Sequence, residues 1–173
     1  IAFPSDLYAP MYDDIPGYFP TYEAYREYKV GSELFFRGQY LQSVDYYRRS
    51  SEIDSSFKLP LVLAAFAYSN SRYYRACDSI VAILDQMSPA LVKPDRDALG
   101  YLQAFLRGDA VTCLNLSQEW ARRIPRSTFE YLWGSDALNM NRPGEAITAF
   151  SRLDPKDSSS FRDWIHAWGG KTF

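Results

Sequence analysis

An all-α chain built from about four successive helix pairs is predicted, and three observations predict it. Apolar residues recur at helical spacing from Tyr25, Tyr28, Leu34 and Phe35 almost to the end. No stretch alternates apolar and polar residues in the manner of a strand. A turn pattern of small, x, apolar, x, x, small recurs four times, as Gly38-Gln-Tyr-Leu-Gln-Ser43, Ser71-Arg-Tyr-Tyr-Arg-Ala76, Gly108-Asp-Ala-Val-Thr-Cys113 and Asn141-Arg-Pro-Gly-Glu-Ala146. Its closing residues Ser43, Ala76, Cys113 and Ala146 are 33, 37 and 33 residues apart.

The elements follow in order from that register. Residues 1–20 carry Pro4, Pro10, Pro16 and Pro20 among Tyr8, Tyr12 and Tyr18, a mixture that forbids a regular helix and reads as an extended arm packed on a surface. Thr21 is the expected N-cap of the first helix, and the repeats are expected at about 24–56, 57–88, 94–126 and 127–157. A further helix is expected to start at 160–168. Gly31 and Gly134 each stand seven residues before the turn, where the two helices of a pair must approach closely, since helix propensity alone disfavours glycine there. Tyr47 and Phe150, four residues after the small closing residue, are expected to fill the space between the helices. Second helices are expected to end at Ile53-Asp54, at Ile124-Pro125, where proline cannot continue the helix, and at Leu153-Asp154-Pro155. The extra residues Ser88 to Pro94 read as a loop between the second and third pairs.

The period is close to the 34 residues of a tetratricopeptide repeat. Over residues 20–170 the chain resembles bacterial tetratricopeptide domains that follow TolB-like, winged-helix or protein-kinase modules in regulatory proteins. The residues that carry this are Pro20-Thr-Tyr-Glu-Ala-Tyr-Arg-Glu-Tyr28, Gly38-Gln-Tyr40, Ile53-Asp54-Ser-Ser-Phe57, Asn141-Arg-Pro-Gly-Glu-Ala-Ile147 and Leu153-Asp-Pro155; the tryptophan of the first consensus slot is missing. The resemblance implies a right-handed α-α superhelix whose first helices line a concave groove. Groove positions then fall on Tyr25, Tyr28 and Phe35 in the first repeat, Tyr68 in the second, Phe105 in the third, and Tyr131 and Asn139 in the fourth. The same mapping adds Lys58, Leu61, Ala65 and Asp95.

Composition restricts the chemistry. At 173 residues with 47% apolar side chains, the chain is long enough for a substantial core. Nineteen basic against 21 acidic residues supply no cationic excess for a phosphate backbone, so nucleic acid is not an expected partner. No apolar run approaches the ~20 residues of a membrane span. Cys77 and Cys113 are too few for a disulfide framework and fall where a repeat wants a small buried residue. The start at Ile1, without methionine or a signal-peptide pattern, is expected of a processed protein or a piece of a longer one.

Catalytic and metal sites lean on histidine and cysteine, and the single histidine, His166, lies between Trp164 and Trp168, in a pattern that reads as a packing face. Asp13-Asp14 and Asp95-Arg96-Asp97 place carboxylates on neighbouring residues, which diverge on a helix, and the latter reads as solvated surface. Gly169-Gly170 lacks the spacing of a phosphate loop. Arg48-Arg49 and Arg122-Arg123 are expected near helix C-termini, where cations complement the helix dipole. No catalytic residue, metal site or cofactor is therefore expected. A protein or peptide partner is, because tyrosine and phenylalanine offer large rigid contact area. The leading expectation is a scaffold domain of a larger bacterial assembly, cytoplasmic or periplasmic. The alternatives are a ligand-sensing regulatory domain of a kinase or transcription regulator, and a structural subunit of a membrane-associated complex strapped by the arm. The arm is also an expected occupant of the groove.

Overall fold

A computed structural model describes Ile15 and residues 19–153. The rest of the Pro/Tyr arm, Asp13-Asp14, the end of the fourth repeat from Asp154, the helix expected at 160–168 with His166, and Gly169-Gly170 lie outside the described residues.

The described residues are all-helical, without a strand. The helices are α1 (Tyr22–Phe36), α2 (Tyr40–Ile53), α3 (Leu59–Asn70), α4 (Tyr74–Gln86), α5 (Lys93–Arg107), α6 (Ala110–Arg123), α7 (Thr128–Asn139) and α8 (Pro143–Phe150). A short 3-10 turn at Ser88–Ala90 occupies the predicted loop before α5. The chain forms two compact units, one of residues 17–106 and one whose described part is Ile15 and residues 107–153. In the first, α1 packs on α2, α2 on α3 and α3 on α4; in the second, α6 packs on α7 and α7 on α8. Contact between neighbours in sequence is the signature of a helical repeat.

Caps define where helices begin. Thr21 Oγ1 accepts the amide of Ala24, and the Thr21 amide donates to Asp54 Oδ2 at 2.9 Å, tying the start of α1 to the residue that ends α2. Asp54 Oδ1 also accepts the Ser56 hydroxyl at 2.6 Å and amide at 3.0 Å, and these bonds hold its carboxyl below the usual range. At α7 the Ser127 amide donates to Glu130 Oε2 at 3.0 Å while Ser127 Oγ accepts the Phe129 amide, a capping box. Asp109 caps α6 by accepting the Thr112 amide.

Close approach within a pair rests on glycine. A Cβ on Gly31 would lie 2.9 Å from two carbons of the Tyr47 ring, and one on Gly134 would lie 2.7 Å from Cδ1 and Cζ of Phe150. The two aromatic rings therefore occupy the volume that a side chain would need. Tyr47 is fully buried, its hydroxyl donating to Ser32, and Ser50 Oγ donates to the Ala24 carbonyl at 2.7 Å, so α1 and α2 are also linked by buried polar bonds. Cys77 and Cys113 form no disulfide and are buried as expected, and burial pushes their thiols up to about 11 and about 12.

One register assignment is corrected. The residues turning from first to second helix with positive φ are Gly38 (75°), Arg72 (63°), Gly108 (74°) and Asn141 (56°). The small residue five positions later is Ser43, Cys77, Cys113 and Ala146, all buried, whereas Ala76 is only partly so. The closing residue of the second repeat is therefore Cys77, and the spacings become 34, 36 and 33. Two further placements differ from expectation. Asp95 is buried in the first turn of α5 and is not solvated surface; Lys93 and Asp97 pair beside it, and Arg96 reaches the Leu91 carbonyl. Arg48 and Arg49 stand short of the last turn of α2, and Arg49 lies 5.3 Å over the Tyr46 ring, a cation–π contact in place of dipole complementation. Arg122 and Arg123 do end α6.

The glycines give a signed prediction. Gly134→Ala should lower stability by about 1–3 kcal/mol through overpacking against Phe150. Gly100→Ala, where no atom lies within 4 Å of the new methyl, should raise it by about 0.5–1 kcal/mol from helix propensity. Urea unfolding followed by circular dichroism measures both; equal signs would show that the close approach is not what selects glycine.

Candidate interaction surface

The sequence-predicted surface residues separate according to what each helix buries. Tyr28 is 1% exposed, with its ring 5.2 Å from Phe57, 5.7 Å from Tyr25 and 6.3 Å from Tyr47. It is core, and cannot touch a partner without unfolding α1 from α2. Tyr25 remains half-buried beside it. Phe35, also half-buried, is packed edge-on against Phe36 and Tyr40 and lies 6.4 Å from Tyr47. Its ring continues the core toward the surface.

Tyr68 changes position for the reason given above. With Cys77 as the closing residue, the groove slots of the second repeat shift by one, and Tyr68 leaves them. It is half-buried and its ring lies 6.5 Å from that of Tyr73 in the following turn. Phe105, near the end of α5, is 40% exposed and packs 6.3 Å from Tyr74. In the second unit, Tyr131 is half-buried against Phe150 at 5.7 Å, and Asn139 is exposed at the end of α7 beside the exposed Leu138.

Two residues absent from the sequence-derived set stand out. Tyr73 and Tyr74 are 55% and 48% exposed, directly after the positive-φ Arg72. The pattern at 71–76 contains them, but they fall outside the groove positions that the repeat register maps. The equal smallness of Ala76 and Cys77 made the two registers indistinguishable by size.

Glu130 is the buried carboxyl to be accounted for. It is 1% exposed; burial, opposed by its bond to the Ser127 amide and by Arg152 and Arg126, raises its pKa. Its Oε2 closes the α7 capping box, and its Oε1 has no hydrogen-bond partner among the described residues. Trp133, one turn on, is buried with Arg152 stacked 5.2 Å over its ring. Among the described residues no group of three His, Cys, Asp or Glu side chains is placed to hold a metal ion. No helix there is long and apolar enough to cross a membrane.

Comparison with known proteins adds one likeness. No family model matches the chain, and no solved structure does. A WD repeat protein of Schizosaccharomyces pombe, iqw1, is 27% identical over 140 residues, covering 73% of this chain and 16% of that protein. The chain thus corresponds in length to a small part of this relative.

Because the folded pKa of Glu130 is raised, the unfolded chain releases that proton first as pH rises through about 4.3. Native stability should therefore fall from there until the folded group also ionises. Glu130→Gln, which keeps a carbonyl oxygen for the Ser127 amide, should flatten this decline in urea midpoints between pH 4 and 7. An unchanged slope would mean that Glu130 titrates in the fold as it does in water.

Proposed function

We propose that this chain is a non-catalytic protein-interaction module, a tetratricopeptide-like helical repeat carried within a longer protein, that binds a protein or peptide partner through aromatic residues left exposed on its helix pairs. The observation that carries this reading is the incomplete burial of large rings and apolar side chains on a well-packed repeat. Phe105, Tyr73 and Tyr74 in the first unit, and Leu138 beside Asn139 and half-buried Tyr131 in the second, remain accessible although the helices beneath them have complete cores. Rings of this kind contribute binding energy by being desolvated on contact.

The fission-yeast relative supports the setting. Its name describes a WD repeat protein, and this chain matches 16% of its length. A helical repeat next to a propeller in one polypeptide would present a second binding surface on the same scaffold. That relative is eukaryotic, so a bacterial setting forms no part of the proposal.

The test is capture of partners by the tagged 173-residue chain from lysate of its source, read by quantitative mass spectrometry. A partner that is retained by the wild type and reduced at least about tenfold by Phe105→Ser with Tyr131→Ser, in variants whose circular dichroism is unchanged, is the expected outcome. Capture indifferent to every exposed ring would remove the basis of the reading.

A further inference from the structure

Exposed aromatic surface is most continuous in the first unit at the turn between α3 and α4. Tyr68 leads to Tyr73 at 6.5 Å, Tyr73 adjoins Tyr74 in the chain, and Tyr74 meets Phe105 of α5 at 6.3 Å. Tyr73, Tyr74 and Phe105 are each at least 40% exposed. No hydrogen bond among the described residues uses the hydroxyls of Tyr68, Tyr73 or Tyr74. Three adjoining exposed rings are more than the scattered single apolar residues of an ordinary surface.

The charged residues next to Tyr73 and Tyr74 in the chain are both basic. Arg72 and Arg75 flank Tyr73 and Tyr74, both are exposed, and neither guanidinium is paired with a carboxylate among the described residues. Between residues 68 and 77 there is no acidic residue, and α5 has none from Ala98 to its end. The first carboxylate on α4 is Asp78, a turn beyond the tyrosines. A chain that is nearly neutral overall thus places two guanidinium groups, unpaired among the described residues, beside two exposed rings that adjoin in the chain.

Arg72 is also a costly residue for its position. At φ 63° it adopts the left-handed conformation that the equivalent turns give to Gly38, Gly108 and Asn141. The fold alone would be served better by glycine. A local rule broken at an exposed, functional-looking position calls for a compensating use of the side chain.

The geometry points to this strip as the docking site for an acidic, aromatic- or proline-bearing segment of a partner protein, its carboxylates on Arg72 and Arg75 and its apolar residues on Tyr73, Tyr74 and Phe105. This inference rests on the interaction-module reading and names the chemistry of the partner. Planar guanidinium groups receive carboxylates bidentately, and tyrosine hydroxyls add neutral donors alongside.

The experiment uses the full chain and a fluorescein-labelled peptide of about ten residues, rich in Glu with Tyr and Pro, against its counterpart with Gln for Glu. Anisotropy in ~50 mM salt should show the acidic probe binding at least about tenfold more tightly than the amide probe, with affinity falling as salt rises. Arg72→Gly together with Arg75→Gln should abolish that preference, and Tyr74→Ser with Phe105→Ser should weaken both probes. Arg72→Gly alone should raise the thermal midpoint by about 2–4 °C while weakening the acidic probe, so lost binding cannot be ascribed to lost folding. Equal affinity for the two probes, or full affinity in the double arginine variant, would overturn the inference. So would sedimentation showing a dimer dissolved by Tyr74→Ser with Phe105→Ser, since a second copy would then cover the strip. If partner capture persists while the acidic probe fails, the interaction reading stands without this chemistry; if capture fails and the probe binds, the reverse holds.

Discussion

How closely the two helices of a pair can approach decides the rest of this structure. At Gly31 and Gly134 the backbone of a first helix lies so near an aromatic ring of the second helix that a single methyl would collide with it. Tyr47 and Phe150 supply those rings, so each close pair is one large side chain set against the absence of another. Dispersion and burial are strongest where no void remains, and a ring set against bare backbone fills the space a side chain would take. The helix propensity given up at glycine, about 1 kcal/mol, is small beside the burial of an aromatic side chain.

Close packing requires that the chain reverse direction at a defined phase. A left-handed residue followed five positions later by a small buried residue sets that phase in all four pairs. Glycine meets the conformational demand at two of the turns and asparagine at a third. Arginine meets it at the second turn with strain, and that turn also carries the exposed tyrosines. Departure from the locally favoured residue and accessibility of large rings coincide at one place in the first unit.

Much of this was legible in the residues because helical repeats obey local rules. The small-residue period, the paired glycines with their aromatic partners, the Thr21 cap and the helix end at Ile53-Asp54 all depend on contacts between elements adjacent in sequence, so spacing alone reports them. Spacing places the closing residue of the second repeat one position early because Ala76 and Cys77 are both small, and size cannot tell which of two neighbouring side chains points inward. The surface was less legible than the fold for a related reason. Tyr25, Tyr28, Phe35 and Tyr68 look alike in sequence, yet Tyr28 is wholly buried while the others keep partial exposure.

What the sequence by itself determined is the helical class, the number of described pairs, the glycine approaches and the buried cysteines, each the product of short-range periodicity. Tertiary structure alone decided which aromatic rings remain accessible, that Asp95 and Glu130 are buried, and that Arg72 rather than Ser71 makes the second turn. Periodicity constrains which face of a helix turns inward, but accessibility depends on what other helices bring against that face, and a difference of one residue in phase rotates a side chain by about 100° around the helix axis.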